Sequence, residues 1–282
     1  MIRDEDLKSS LDYTEGQKEA AHRVLVELIN LFDMYKDDIR IVGGWVPDLM
    51  FPNEGHIGSV DVDVLINHLE LKDSGYQTMA KILLENGYKE HPEKYFSFVR
   101  VVEIDGIDYV VDVDILAGMY GGTQKKKRSQ HVQGIKALKA TGGNFAFEFE
   151  PQKIKVEAKR PDGAYDVAHV NVIAVVPYLV MKTAAMGRGK AKDAYDIYFL
   201  LKHYNGGVMQ LAKEFDCCAD KQIVISMTEK LAEKFASENH AGPVDVSDFM
   251  DLQEDEEIEM IRRDAYEQIQ TLIQQVDGRR GV

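Results

Sequence analysis

Residues Ile39–Ile66, IRIVGGWVPDLMFPNEGHIGSVDVDVLI, decide how this chain is read. An apolar strand runs into Gly43-Gly44, a helix start follows, and a second strand carries Asp61 and Asp63. Side chains two residues apart on a strand point to the same face, with Cα atoms roughly 7 Å apart. Between Val60, Val62 and Val64, two such carboxylates are poor core residues and good ligands for a hard divalent cation. The diglycine bend exposes backbone N–H groups that can hold phosphate oxygens. Together these residues suit a place where Mg²⁺ and a nucleoside triphosphate meet. A charged edge strand is the plainer alternative for Asp61 and Asp63.

Working outward, Thr14-Glu-Gly-Gln17 has the form of a capping box, and Val24, Leu25, Leu28, Leu31 and Phe32 follow at helical spacing. Pro47 is tolerated in a first helical turn, which predicts a short helix at Val46–Met50. Another helix is expected over 77–86, ended by Gly87. The alternating runs 95–104 and 107–116 flank Asp105-Gly106, a strong hairpin signal. On the second run Asp112 and Asp114 again share a face. Asp114 is the candidate third metal ligand, with Asp112 in reserve. Residues 118–143 are rich in glycine and lysine and read as an inserted, mobile loop. Strands are expected over 145–149, 153–158 and 168–175. From Pro177 onward the pattern is helical: 178–186, 191–204, 209–215, 222–236 and 246–276. The predicted fold is α+β: a mixed-strand α/β domain over 1–175 with its Lys-rich insertion, then a helical domain over 176–282 that completes the site.

Composition narrows the partners. The 282-residue chain has a formal net charge of −14, which argues against a general polyanion binder. Its distribution is uneven. No acid occurs over 115–147, where Lys125, Lys126, Lys127, Arg128, Lys136 and Lys139 cluster, whereas 245–264 holds nine acids against Arg262 and Arg263. The Lys125–Lys139 segment suits an RNA backbone, with Tyr120 and His131 available to stack, or is simply a solvated loop. No apolar run reaches the ~20 residues of a membrane span. The polar start MIRDEDLKSS has no signal-peptide pattern, and the adjacent Cys217 and Cys218 lack metal-site spacing, so a cytoplasmic location is expected.

A second motif lies at 176–201, VPYLVMKTAAMGRGKAKDAYDIYFLL. Lys182 sits among apolar neighbours, where a lysine either snorkels to the surface or meets an anion, and a triphosphate would supply one. Asp193 and Asp196 lie three apart on the following helix. Asp193 also has the position of a first-turn acid. Ser59 either donates to a phosphate oxygen or satisfies a local turn.

The pairing of GGW…GSVDVDV with MKTAAMGRGKAKDAYDIYFLL resembles the AbiEii/MenT group of nucleotidyltransferases, within the DNA polymerase β-like superfamily. The resemblance covers about residues 39–201. It implies transfer of a nucleoside monophosphate from an NTP to an acceptor hydroxyl. A tRNA or other RNA 3′ end is one such acceptor, and the group contains toxins of toxin–antitoxin pairs. It implies metal binding by Asp61 and Asp63, and Asp114, the candidate third ligand, would complete a two-metal site for Mg²⁺ (or Mn²⁺). Gly43, Gly44, Ser59, Lys182 and Asp193 would bind nucleotide, and Lys182 and Asp196 would join the catalytic set. An antitoxin protein is the implied partner. Alternatives are nucleotidylation of a protein or small molecule, and a non-catalytic NTP-binding regulator. Trp45-Val-Pro after the diglycine, His56 before the serine, and the Lys-rich insertion depart from the group's usual form.

Overall fold

The computed structural model describes residues 7–71, 78–118, 129–132 (backbone) and 134–281. The chain divides into two compact units, one of Tyr13–Met50 and Gly58–Pro177, the other of residues 7–12, Phe51–Ile57 and Tyr178 onward.

The first unit is built on one mixed sheet. Its strands are β1 (Ile39–Val42), β2 (Val62–Ile66), β3 (Lys89–Glu90), β4 (Ser97–Ile104), β5 (Ile107–Gly118), β6 (Ser129–Val132), β7 (Ile135–Ala140), β8 (Gln152–Lys159) and β9 (Tyr165–Val172). The order along the sheet is β3-β4-β5-β2-β1-β9-β8, with β7 pairing with both β5 and β6. β2 runs parallel to β5 and antiparallel to β1.

Helix α1 (Glu15–Leu31) begins at the capping box expected from sequence: Gln17 N donates to Thr14 Oγ1 at 3.3 Å, and Thr14 N donates to Gln17 Oε1 at 3.0 Å. Its stripe of Ala20, Ala21, Val24, Leu25, Leu28 and Ile29 is buried and packs on β2, β4, β5, β8 and β9. Register places Ile39, Ile41, Val62, Val64, Val111, Val113, Ala168, Val170 and Val172 on one sheet face, all buried. Strand alternation therefore turns Asp63, Asp112 and Asp114 to the opposite face. The core on one face fixes the acids on the other, because a one-residue slip of β2 would bury Asp63 among the valines. A Leu25→Ala cavity under α1 would cost about 2–5 kcal/mol.

The remaining elements of this unit are short. α2 (Trp45–Met50) carries Pro47 in its first turn, and α3 (Met79–Glu85) starts on Thr78, whose Oγ1 accepts from Lys81 N at 3.3 Å. The β4–β5 hairpin turns on Asp105 (φ 51°) and Gly106 (φ 78°), the left-handed pair that a two-residue type I′ turn requires. Three expectations are corrected. Residues 118–143 are not one loop: β6 and β7 form a hairpin within them that joins the sheet through β5. Residues 145–149 are not a strand; a helical turn, α4 (Gly143–Ala146), lies there, with Gly143 packed against Gly118 and Leu65. The last strand stops at Val172 rather than Val175, because α5 (Val175–Ala185) has already begun.

The second unit consists of helices. These are the remainder of α5, α6 (Ala191–His203), α7 (Gly207–Leu211), α8 (Gln222–Lys234), α9 (Ala241–Phe249) and α10 (Asp255–Asp277). α10 packs on α6, α7, α8 and α9 through Ile261, Ala265, Ile269, Leu272, Ile273 and Val276, a stripe at helical spacing. Asp255, Glu256 and Glu257 sit in its first turn, where negative charge complements the helix dipole. One helix over 246–276 was expected and two are found. Asp251 turns the chain at φ 55°, and no Gly or Pro marks the break in the sequence.

Candidate functional site

The sheet unit carries the acids first read from sequence. Asp63 of β2 pairs in register with Asp114 of β5, so two carboxylates stand side by side on neighbouring parallel strands. Asp61 lies just before β2, and its Oδ1 accepts a hydrogen bond from Ser59 Oγ at 2.5 Å. Ser59 is buried, and its hydroxyl proton is committed to Asp61. Trp45 Nε1 donates to the Asp61 carbonyl at 2.8 Å, and the Trp45 ring stacks on His22 with 5.4 Å between centroids. Trp45 thus fixes the backbone at the first acid.

Gly43 explains itself through Asp63. It has φ +72°, and a Cβ there would lie 1.9 Å from Asp63 Oδ2. Any side chain at 43 is therefore excluded by both backbone conformation and the carboxylate. Gly44 follows directly at the start of α2.

Asp114 is the electrostatic centre of the row. Burial is the main cause that lifts its pKa, to about 6, and the charges of Asp61 and Asp112 push the same way. A hydrogen bond from Ser97, its cross-strand partner, and the charge of Lys94 act in opposition. Its Oδ1 is nonetheless a buried oxygen with no hydrogen-bond partner. Asp112, the reserve ligand, is engaged elsewhere: Lys94 Nζ donates to its Oδ2 at 2.7 Å, with His91 Nε2 3.9 Å from the same oxygen. Sequence reading missed Lys94, His91 and Ser97, which belong to no motif and reach the acids only through β4–β5 pairing.

The donor chemistry suits a divalent cation. Hard carboxylate oxygens share one face, and Asp114 Oδ1 is buried without a hydrogen-bond donor, which a metal ion could replace. Among the described residues, no three or more His, Cys, Asp or Glu side chains are already drawn together as a metal centre. Holding an ion would thus require the acids to turn toward one another.

The helical unit carries the other candidates. Lys182 of α5 is buried and sits between two acids of α6, with Nζ 2.8 Å from Asp193 Oδ1 and 2.7 Å from Asp196 Oδ2. Desolvation alone would lower its pKa, but Asp193 and Asp196 raise it well above the usual lysine value. The anions that Lys182 meets here are protein carboxylates. Asp196 is fully buried; its Oδ1 also receives Lys192 Nζ at 2.8 Å and His56 Nε2 at 3.0 Å. Burial would raise the Asp196 pKa, yet Lys182, Lys192 and His56 together hold it far below the carboxylate range. Asp193 is additionally 3.6 Å from Arg188.

His56 is a residue whose importance the sequence did not show. Its side chain is fully buried, stacks on Tyr195 with 5.4 Å between centroids, and meets Phe199 edge-on at 4.7 Å. Desolvation lowers its pKa to about 4, so at neutral pH it is an uncharged imidazole donating from Nε2–H to Asp196. Its partner is 140 residues away in the chain, beyond any local pattern.

Of the predicted site residues, Gly43, Gly44, Ser59, Asp61, Asp63 and Asp114 fall in the sheet unit, and Lys182, Asp193 and Asp196 in the helical one. In the proposed RNA segment, Lys125, Lys126, Lys127, Arg128 and Tyr120 lie outside the described residues, as does the His131 side chain. Lys136 and Lys139 lie on β7, and Lys136 Nζ sits 4.3 Å from the Tyr95 ring centroid. Among the described residues no helix is long and apolar enough to cross a membrane. Compared with protein-family models, curated proteins and solved structures, the chain finds no match.

Proposed function

We propose that this chain is a metal-dependent nucleotidyltransferase that moves a nucleoside monophosphate from an NTP to an acceptor hydroxyl. One observation carries the reading: Asp63 and Asp114 stand paired on adjacent strands, and Asp114 keeps a buried oxygen to which no described residue donates a hydrogen bond. Asp61, Asp63 and Asp114 would hold Mg²⁺, with Mn²⁺ able to replace it. Bound there, the metal would supply charge compensation for the phosphate oxygens.

The chain's own residues then have separable tasks. Ser59 and Trp45 fix the Asp61 side chain and backbone. Gly43 keeps clear the space that Asp63 occupies, and Gly43-Gly44 offer backbone N–H groups to the triphosphate. The acceptor oxygen forms its new bond to the α-phosphorus while the bond to the bridging oxygen breaks and pyrophosphate leaves. Asp114, paired with Asp63 on the same sheet face, is placed to take the hydroxyl proton.

For the acceptor we propose an RNA 3′ end. The resemblance and the basic 125–139 segment favour it, and both also suit a toxin kept in check by a protein antitoxin. The test is to incubate the protein with each labelled NTP, Mg²⁺ and total RNA. Label on RNA, lost in Asp61→Asn and Asp63→Asn variants that retain the wild-type circular dichroism spectrum, is the expected result. Label on protein alone refutes the RNA acceptor. Equal labelling by the two variants refutes the enzyme assignment. In a matched experiment, Lys182→Met reports whether the helical unit contributes to NTP affinity.

A further inference from the structure

The segment 91–96, HPEKYF, does more than connect β3 to β4. His91 Nδ1 accepts backbone N–H groups from Glu93 at 3.0 Å and Lys94 at 2.9 Å, which leaves the ring proton on Nε2. His91 N donates to the Ser97 carbonyl at 2.9 Å, and Ser97 N donates to the Lys94 carbonyl at 3.1 Å. Both backbone polar groups of Lys94 are therefore fixed, and the turn presents its side chain to the acid-bearing sheet face. There its ammonium meets Asp112 Oδ2 at 2.7 Å, with Asp112 two residues before Asp114 on the same face of β5. Partial burial works against the ammonium. The hydrogen bond to Asp112 and the charges of Asp114, Asp112 and Asp61 outweigh that cost and raise its pKa.

We infer that Lys94 is a resident counter-cation of the Asp61–Asp63–Asp114 row, leashed by Asp112, which competes with a divalent ion for these acids and yields to it. This rests on the metal-site reading above. It makes Lys94 and Asp112 positioning residues that set metal affinity, and it assigns the reserve ligand Asp112 a different task. A fixed positive charge beside a site for a divalent cation opposes binding. An ammonium held back on Asp112 opposes it less than one free to pair with Asp114.

The two residues should act in opposite directions. Titration of the full-length protein with Mn²⁺ alone, followed by electron paramagnetic resonance, reads the affinity without any turnover. Lys94→Met should bind Mn²⁺ about tenfold more tightly, since each tenfold corresponds to about 1.4 kcal/mol. Asp112→Asn should bind about tenfold more weakly, because the released ammonium moves onto the acids. Lys94→Arg, which keeps the charge, should stay near wild type. In the double variant the Asp112→Asn effect should vanish, since it acts through Lys94. A merely structural Lys94 would instead weaken binding in both single variants.

If Lys94→Met is unchanged or weaker while the wild type binds Mn²⁺, the counter-cation is refuted and the metal site stands. If the wild type binds no Mn²⁺, both readings fall. Should Lys94→Met not fold, Lys94→Gln takes its place. Tighter Mn²⁺ binding by that variant supports the inference, and unchanged or weaker binding overturns it.

Discussion

Around Asp196, two lysines and a neutral histidine converge on one buried carboxylate, whereas around Asp114 further carboxylates share a strand face and, among the described residues, no cation forms an ion pair with it. The opposite directions of the two pKa shifts express the same contrast. Asp196 is held far below the ordinary range by its cationic and hydrogen-bonding neighbours, and Asp114 is lifted to about 6 by burial and like charge. A buried ion needs partners, so taking one away from the first arrangement strands a charge, while the second holds its carboxyl at a cost. Structural ion-pair networks and functional sites both perturb acids, and here the two clusters perturb theirs in opposite directions.

The largest test of this contrast is a matched pair of substitutions. Asp196→Ala should cost the helical unit about 3–5 kcal/mol, because Lys182 and Lys192 lose a buried partner. Asp63→Asn should change stability by no more than about 0.5 kcal/mol while abolishing transfer. Chemical denaturation of both variants beside a labelled-NTP assay checks this. Equal losses of stability would erase the distinction between the clusters.

The next test uses pH. His56 has a folded pKa of about 4 against an ordinary 6.5, so its contribution is present above pH 6.5 and lost as pH falls toward 4. Asp114 runs the other way. Its folded pKa of about 6 exceeds the ordinary 3.8, so the stability it lends is full below pH 3.8 and drains as pH rises through 6. Each shift corresponds to at most about 3 kcal/mol. Denaturation of His56→Gln should show a deficit at pH 7.5 that closes on acidification to pH 4. Asp114→Asn should instead gain on the wild type as pH rises over the same interval. Parallel profiles would mean that the two groups do not differ in the way their surroundings require.

The legible part of the molecule was local. The capping box at Thr14–Gln17, the Asp105-Gly106 turn and the acids at Asp61, Asp63 and Asp114 each follow from residues a few positions apart. Where the sequence carried no punctuation, reading failed. Met250–Glu254 breaks a helix without Gly or Pro, and the β6–β7 hairpin adds to the sheet from a stretch that looked like loop composition. The missed partners are those set by tertiary register. Lys94 reaches Asp112 from the turn before β4, and His56 reaches Asp196 across about half of the chain's length. Lys182 is the instructive middle case. Its apolar setting implied either a reach to the surface or an anion such as a triphosphate, and the anions it meets in the fold are Asp193 and Asp196.

Arg188 offers the smallest and sharpest probe of the same comparison. It stands 3.6 Å from Asp193 Oδ2 but is 61% exposed, so water competes for its charge. Exposed ion pairs contribute about 0–1 kcal/mol and are screened by salt. Arg188→Ala should therefore lower stability by less than about 1 kcal/mol at low ionic strength, with the difference fading in 1 M salt. The buried Lys182 contacts to the same acid should resist that salt, since they lie away from the ionic atmosphere. If Arg188→Ala instead cost as much as Asp196→Ala, compensation in the helical cluster would depend on its exposed rim rather than on the buried Lys182. The contrast with the acids of the sheet would then be one of exposure, not of partner supply.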